Sequence, residues 1–425
     1  GHIISDLVIN DTSNNFAALF SLISKEAEIK NIGLLAGNVS GGWSAGSLVG
    51  HNLWKISNAY ATTKVSSDNI GTTQNKATST AGGLAGSNDG IIKNSYATGS
   101  VSASNTAETT ESASFAGGLV GYNTGVIENS YATGSVSSFN TANSSKDISF
   151  TSNMSYSYAG GLSGYNSGKM SNIYATGKVV VISNSNSVKT YSHAGGLVGR
   201  NMGLIHHAYA TGSVSGSASS KSLSKLFFNS YIGGLVGSTD KNSEIHHAYA
   251  TGKITSEVDP AHENHAGGLV GMNLGLINIS YASGDILTDT VANYRSVGGL
   301  VGSNYGEVSN SYAVGDVVVS GAKWSQYAGG LIGNSSDFTA GSSKVSNVYA
   351  LGKVSVASDL VSGGLMGSSS TPVENGYWNI DISGQDKGVG NGTTQVKGLT
   401  TTQMFTMGKG GLDGFDVTVW GNVDN

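Results

Sequence analysis

The chain has 425 residues, of which 63 are glycine, 2 are proline and none is cysteine, and its formal net charge is -5. The glycine content and the charged fraction of only 12% exclude a coiled coil and a helical bundle, and the absence of cysteine excludes thiolate and disulfide sites. A hydrophobic fraction of 38% at this low net charge disfavours a disordered chain. Without a basic excess, nucleic acids and anionic membrane surfaces are not expected partners. Since no run of about 18 apolar residues is present, membrane insertion is not expected either.

One phrase recurs through most of the chain. It reads Ala116-Gly-Gly-Leu-Val-Gly-Tyr-Asn-Thr-Gly-Val-Ile-Glu-Asn-Ser-Tyr-Ala-Thr-Gly-Ser-Val136. Its central leucine returns at Leu48, Leu84, Leu119, Leu162, Leu197, Leu235, Leu269, Leu300, Leu331 and Leu365. Successive leucines lie between 31 residues (Leu269 to Leu300) and 43 residues (Leu119 to Leu162) apart. A unit of this length predicts a solenoid or a propeller.

The pattern inside the unit indicates short strands. Ile127, Asn129 and Tyr131 occupy alternate positions, which is the two-residue period of an extended chain. Glycines divide each unit into two or three such strands, and stacked coils would place Leu119 on Leu84 at the spacing of paired strands, about 4.8 Å. The sequence therefore predicts an all-β, single-stranded parallel β-helix. A propeller is the alternative, and the short unequal strands disfavour it.

Two sets of asparagines favour structural roles. The first set, with Asn88 and Asn123, follows the Gly-Leu-Val-Gly strand, where we expect a turn with left-handed backbone. The second set, with Asn94 and Asn129, lies two residues before the tyrosine. If it faces inward, its amides should bond along the stack, because an unpaired buried amide costs about 1 to 3 kcal/mol. Tyr131 is expected in the interior of the same stack.

The variable length lies in one segment, between the closing valine and the next Gly-Gly-Leu. This segment holds 15 residues at 102–116 and 23 at 137–159. Insertions at a single point predict loops along one edge of the solenoid. Aromatic residues there predict a ligand-binding edge, and a cover over the open side of the coil is the alternative. The candidate binding residues are Phe139, Phe150, Tyr156, Tyr158, Tyr191, Phe227 and Phe228.

Two histidine pairs hold the same positions in consecutive repeats, at 206–207 and 246–247. His206 should therefore lie over His246, and His207 over His247. Such imidazoles form a candidate transition-metal site with His206 and His246 as ligands. The alternative is that His207 and His247 replace inward asparagines and bond within the stack. No organic cofactor is expected.

The repeat Gly-Gly-Leu-Val-Gly-x-Asn-x-Gly-x-Ile-x-Asn-Ser-Tyr-Ala-Thr-Gly-x-Val resembles the GLUG motif of large secreted bacterial proteins. These include filamentous-haemagglutinin-like exoproteins of two-partner secretion, high-molecular-weight adhesins and some immunoglobulin A peptidases. The flanks at 2–10 and 377–404 are similar to the ends of such arrays. The resemblance implies a right-handed β-helix of about ten GLUG rungs, an outer-membrane secretion partner, a location outside the bacterial cell or on its surface, and adhesion. It implies no catalytic residues.

We therefore expect first coils at 1–44, the GLUG β-helix at 45–371, and last coils with a C-terminal cap at 372–425. Thr400 is expected to cap a short helix. Since residues 1–10 lack the features of a signal peptide, we expect a fragment of a longer exoprotein. The predicted function is an adhesin segment, not an enzyme, that binds a host-surface glycan or glycoprotein through its loops. A polysaccharide-degrading β-helix enzyme and a structural stalk are the alternatives.

Overall fold

A computed structural model describes the chain over most of its length. The described residues are 1–13, 15–71, 77–107, 111–142, 154–185, 189–220, 228–258, 263–289, 294–320, 326–337, 343–357 and 360–420. In them the chain winds in successive coils, and each full coil adds strands to four parallel sheets, which we name A, B, C and D in chain order. The predicted parallel β-helix is confirmed.

The strands are grouped by sheet as follows. Sheet A contains His2–Ser5, Glu28–Leu35, Lys55–Ala61, Ile91–Lys93, Tyr96–Ala97, Val126–Ala132, Lys169–Ala175, Leu204–Ala210, Glu244–Ala250, Leu276–Ala282, Glu307–Ala313, Lys344–Ala350, Val373–Asn379 and Lys397–Leu399. Sheet B contains Val8–Asp11, Asn38–Gly41, Lys64–Gly71, Val101–Ala107, Val136–Ala142, Val179–Ser185, Val214–Ser220, Ile254–Val258, Ile286–Thr288, Val317–Val319 and Val354–Val356. Sheet C contains Phe16–Ala17, Ser44–Gly46, Ala77–Gly82, Glu111–Gly117, Met154–Gly160, Lys189–Gly195, Phe228–Gly233, Glu263–Gly267, Tyr294–Gly298, Gln326–Gly329 and Val361–Gly363. Sheet D contains Phe20–Ile23, Val49–Asn52, Ala85–Asn88, Val120–Asn123, Ser163–Asn166, Val198–Asn201, Val236–Thr239, Val270–Asn273, Val301–Asn304, Ile332–Ser335, Met366–Ser369 and Val389–Asn391.

Among the described residues, two hydrophobic clusters run inside the coils, and a third packs the C-terminal end around Leu399, Met404 and Phe415. The first is built by sheets A and D and contains the central leucines, which are fully buried. The second lies between sheets B and C and is built from residues such as Val136 and Ala116. Farther along sheets B and C the interior is polar, with the hydroxyls of Ser138 and Ser157 2.7 Å apart and the Asn140 amide donating to the Tyr156 carbonyl at 2.7 Å. The inner faces of sheets B and C therefore pack against each other.

The strands of sheet A change their alternation at the second set of asparagines. Asn129 has a φ of 47° and is exposed, whereas Ile127, Ser130 and Ala132 are buried. The left-handed residue interrupts the two-residue period, so Tyr131 lies on the outer face and is half-buried. The expectations of an inward Asn129 and an interior Tyr131 are wrong. The in-register stacking of the tyrosines is confirmed, since the rings of Tyr131 and the next tyrosine along the stack lie 4.6 Å apart.

The first set of asparagines forms the inner ladder instead. Asn123 is fully buried, accepts a 2.7 Å hydrogen bond from Asn88 and donates one of 2.7 Å to Asn166. It also bonds its own chain by donating to the Gly125 carbonyl at 3.2 Å, as expected of a turn asparagine. The left-handed backbone expected of the first set thus belongs to the set of Asn129, and the buried ladder belongs to the set of Asn123. The expectation that the second set bonds along the stack is confirmed on the exposed face, where Asn129 donates to Asn94 at 3.2 Å and accepts from Asn172 at 3.1 Å.

The variable segment is a strand over much of its length. Of the segment 137–159, residues 137–142 extend a strand of sheet B and residues 154–159 belong to a strand of sheet C, while 143–153 lie outside the described residues. Sheet B strands shorten from seven residues at Val136–Ala142 to three at Ile286–Thr288. The insertions therefore lengthen two sheets as well as the connection between them.

Two short helices end the described chain. The first, α1 (Thr401–Met404), has the predicted cap, since Thr400 Oγ1 accepts from the Gln403 amide at 3.3 Å and Gln403 Oε1 accepts from the Thr400 amide at 2.9 Å. The second, α2 (Val417–Trp420), places the Trp420 ring 5.5 Å from that of Tyr349 on the outer face of sheet A. Among the described residues, no helix is long and apolar enough to cross a membrane. The boundaries 44/45 and 371/372 stay predictions.

Candidate functional site

A row of stacked rings runs along the outer face of sheet C. Its members occupy the same position in five successive coils: Phe115, Tyr158, His193, Tyr231 and His265. Successive ring centroids lie 4.9, 4.7, 4.9 and 5.2 Å apart. Tyr158 is only 5% exposed and His193 3%. This row is a second layer of packing outside the coil, which matches the cover considered as an alternative to ligand binding.

Sheet D supplies polar partners for the buried row. His193 Nδ1 lies 2.7 Å from the Ser238 hydroxyl, and the nearby Arg200 charge partly offsets the effect of burial on the pKa of the Tyr158 hydroxyl. Burial raises the pKa of Tyr158 above its ordinary value. Burial, with a smaller contribution from the Arg200 charge, lowers the pKa of His193 well below its ordinary value. Both side chains are therefore held in their neutral forms at neutral pH.

Two half-exposed tyrosine pairs lie over this row. Tyr156 and Tyr191 stack on sheet C with centroids 5.1 Å apart, and Tyr122 and Tyr165 stack on sheet D at 4.7 Å. Tyr158 lies between the pairs, 5.8 Å from Tyr156 and 6.2 Å from Tyr165. The corner between the outer faces of sheets C and D thus presents aromatic surface from both sheets.

A charged pair continues the sheet D side of this corner. Arg200 is the residue in register with Tyr165 in the next coil, and its Nη2 donates to Asp240 Oδ2 at 2.7 Å. Both side chains are 31% exposed, so solvent reaches them. We name Tyr122, Tyr156, Tyr165, Tyr191, Arg200 and Asp240 together the aromatic shelf. Aromatic faces beside a guanidinium and a carboxylate can stack on a flat apolar surface and hydrogen-bond its polar groups.

The predicted binding residues are distributed over two faces of the molecule. Tyr156 and Tyr191 belong to the shelf, and Tyr158 forms its buried floor. Phe139 is 37% exposed on the outer face of sheet B, in register with Ile182. Because sheets B and C pack against each other through their inner faces, the outer face of sheet B, which carries Phe139, points away from the shelf. Phe150 and Phe227 lie outside the described residues, as does the side chain of Phe228, which begins a sheet C strand.

Sequence reasoning missed the sheet D half of the shelf. Tyr122, Tyr165 and Arg200 belong to the short strand of the repeat itself, where no insertion draws attention to them. The two-residue alternation of the strand could have placed these side chains on its outer face. Each lies two residues after a buried valine or serine and one residue before a buried asparagine. Asp240 follows such a strand and shows its role only through its contact with Arg200.

The predicted stacking of the histidines is confirmed. His206 pairs in register with His246, with ring centroids 4.7 Å apart, and the rings of His207 and His247 stack at 4.9 Å. Burial lowers the pKa of His206, and the neighbouring His246 and His207 add to the shift. His207 and His247 have φ values of 50° and 52° and are exposed, so the alternative that they bond inside the stack is wrong.

A carboxylate completes this histidine group. Glu244 Oε2 lies 3.1 Å from His246 Nε2, and His206, Glu244 and His246 each offer a ligand atom within 4.8 Å of the others. Sequence reasoning missed Glu244. The signal was its position two residues before His246 on the same strand, which puts both side chains on one face.

Comparison with known families recognises the repeat. Five segments match the family model described as the GLUG motif, at 77–102, 113–137, 190–215, 228–255 and 293–318. No curated protein and no solved structure matches the chain. The segment 113–137 starts in a sheet C strand, passes through sheets D and A and ends in sheet B, so one motif corresponds to one rung. The chain thus carries repeats that match the GLUG motif, and its described part is folded as a parallel β-helix.

Proposed function

We propose that the chain is a segment of an extracellular bacterial adhesin that binds a host-surface glycan on the aromatic shelf. The observation that supports this most is the shelf itself, where half-exposed tyrosines from two sheets flank one corner beside the Arg200–Asp240 pair. The GLUG repeats support the location outside the cell, because the motif resembles that of secreted bacterial proteins. On the same resemblance we propose export through an outer-membrane secretion partner.

The chemistry of the shelf fits a sugar better than a flat protein surface. Tyrosine presents a rigid apolar face with a polar hydroxyl at its edge, which matches the apolar face and peripheral hydroxyls of a pyranose. The rings of Tyr122 and Tyr165 are nearly parallel, with 3° between their planes, so the stack offers a continuous surface along the solenoid axis. A glycan chain lying along this axis would reach Arg200 and Asp240 in the following coils. The proposed role is binding without catalysis.

Residues found at equivalent positions in other coils provide substitutions that the fold should tolerate. Ala113 is in register with Tyr156, and Ser87 with Tyr122 and hence with Tyr165. The variants Tyr156→Ala and Tyr165→Ser therefore remove shelf rings while keeping side chains that the fold already accepts in those columns. Phe139→Ser is the matched control on the outer face of sheet B, where Ser104 is in register.

A glycan array followed by titration of the best ligand tests the proposal. We expect Tyr156→Ala and Tyr165→Ser to weaken binding at least about tenfold, since aromatic anchors dominate such sites, and Phe139→Ser to bind as the parent protein does. Absence of binding to any glycan would favour the structural stalk. Loss of binding with Phe139→Ser alone would move the site to sheet B. Release of new reducing ends from the bound glycan would show an enzyme instead.

A further inference from the structure

The outer face of sheet A carries a group of nitrogen and oxygen ligands away from the aromatic shelf. His206 lies on the strand Leu204–Ala210, and Glu244 and His246 lie on the strand of the next coil, Glu244–Ala250. His246 is directly beside His206, and Glu244 is its diagonal neighbour on the same face. Three potential ligand atoms are therefore held by two paired strands of a rigid sheet, within 4.8 Å of one another.

One nitrogen of this group lacks a protein partner. His206 Nε2 is buried and makes no hydrogen bond within the described residues. A buried polar atom without a partner is costly, and in native structures it calls for an explanation such as an ion or a water molecule. The neighbouring His246 Nε2 already faces the Glu244 carboxylate at 3.1 Å. An ion between these three groups would give His206 Nε2 a partner and keep the carboxylate bound.

We propose that His206, Glu244 and His246 bind a divalent transition-metal ion of the zinc type. Two imidazoles and one carboxylate are a known three-ligand set for zinc, with the fourth position open to solvent. A tetrahedral ion at bond lengths of about 2.0 to 2.1 Å holds its ligand atoms about 3.4 Å apart. The present separations of up to 4.8 Å would have to shorten by at most about 1.4 Å, which small side-chain rotations can supply.

The site is open on one side and closed on the other. The Glu244 side chain is 50% exposed and the His246 side chain 16%. Glu244 also lines a cavity of about 520 Å³, together with Lys169 and Asn242, at the corner between sheets D and A. Because the Glu244 carboxylate is exposed to solvent, a bound ion could take water or a small anion as its fourth ligand. Bound there, it would join two coils whose connection passes through the insertion between sheets B and C.

The neighbouring coils again provide conservative variants. Ser171 is in register with His206, and Asn278 with His246, so His206→Ser and His246→Asn place residues that the columns already contain. Glu244→Gln keeps the shape of the side chain and removes its charge. His207→Asn is the matched control, because asparagine holds the same left-handed position in the preceding coil at Asn172 and the variant also removes one histidine.

Isothermal titration of the chelator-treated, untagged full chain with zinc chloride tests the proposal. We expect one zinc ion per chain, at least about tenfold weaker binding for His206→Ser, Glu244→Gln and His246→Asn, and unchanged binding for His207→Asn. Cobalt should show the absorption of a tetrahedral ion in the parent chain and lose it in His206→Ser. Magnesium, which prefers oxygen ligands, should not compete.

Three results would overturn the proposal. The first is no zinc binding by the parent chain, which would leave an ordinary contact between His246 and Glu244. The second is equal zinc affinity in the parent chain and all three ligand variants. The third is loss of binding in His207→Asn with binding retained in His206→Ser, which would assign the ion to the outer histidine pair. Circular dichroism of every variant distinguishes a lost ligand from a lost fold.

Discussion

The burial of the Asn123 ladder, in contrast to the exposed ladder of Asn129, leads to a quantitative prediction about stability. Asn123→Ala removes two ladder hydrogen bonds of 2.7 Å and the 3.2 Å bond to the Gly125 carbonyl. The three former partners keep other bonds. Asn88 still donates to the Gly90 carbonyl, the Asn166 side-chain oxygen still accepts from the Gly168 amide, and the Gly125 carbonyl still accepts from the Lys169 amide. The cost is therefore that of three lost hydrogen bonds and not of orphaned groups. At about 0.5 to 1.5 kcal/mol each, we expect a decrease in the free energy of unfolding of about 1.5 to 4.5 kcal/mol.

Two further variants determine whether the stability loss of Asn123→Ala arises because its ladder bonds are buried. Asn123→Thr should recover part of the loss, because Thr239 occupies this position in another coil and donates to Asn273 at 2.8 Å. Asn129→Gly removes two ladder bonds of 3.2 and 3.1 Å on the exposed face, where water replaces them, and glycine accepts the φ of 47°. We expect it to cost less than about 1 kcal/mol.

Urea unfolding gives the free-energy differences, and hydrogen exchange locates them. Hydrogen exchange is needed because coils contact mainly their neighbours, so a long solenoid can lose one region before the rest. Protection should fall first in the coils next to Asn123. The reasoning is refuted if Asn129→Gly costs as much as Asn123→Ala, or if Asn123→Ala leaves the unfolding curve unchanged.

Two other predictions concern packing. Tyr131→Ala removes a half-buried ring that stacks at 4.8 Å on Tyr96 and at 4.6 Å on Tyr174. Two such pairs contribute about 1 to 3 kcal/mol to the free energy of unfolding, less than the roughly 3 to 5 kcal/mol of a fully buried aromatic ring. A larger loss measured by urea unfolding would show that the ring is in the interior. Gly118→Ala would place a Cβ 2.0 Å from the Gly161 carbonyl oxygen, so we expect a large drop in melting temperature, and an unchanged value would contradict the close approach of the two coils.

The fold could be predicted because the repeats align with themselves. Leucines at one position in every unit can be buried together only if the coils stack, and this needs no knowledge of local geometry. The orientation of Asn129 could not be predicted by extending a two-residue period. A single left-handed residue shifts the alternation, so the residues after it point to the opposite faces from those that the period predicts. One signal was present: the same position holds His207, His247 and Ile279, all with positive φ. Such varied side chains fit an exposed position and not a buried amide ladder.

The candidate sites could be predicted only where their residues share one strand or one column. Tyr156 and Tyr158 are two residues apart, and His206 and His246 hold equivalent positions, so their proximity follows from the repeat. The contact of Tyr158 with Tyr165, by contrast, depends on the angle at which the outer faces of sheets C and D meet. That angle is set by backbone packing between coils, which periodicity does not describe.

His193 provides a prediction about acid stability. Its ring is buried between Tyr158 and Tyr231, with Nδ1 at the Ser238 hydroxyl and Nε2 without a partner among the described residues. Protonation would put a charge and an unbonded N–H into this layer, near the Arg200 charge. The folded-state pKa is therefore lowered, chiefly by burial.

The sign of the effect follows from proton binding. Above the unfolded-state pKa of about 6.5, neither state of His193 is protonated and the full stability is present. As the pH falls below this value, the unfolded state binds a proton that the folded state excludes, so stability decreases by up to about 1.4 kcal/mol per pH unit until the folded pKa is reached. His193→Tyr, which repeats the tyrosine found on either side in the same column, removes this group. We expect equal urea midpoints at pH 8 and a shallower decrease for the variant between pH 6.5 and 5, whereas parallel curves would mean that His193 is protonated in the folded chain.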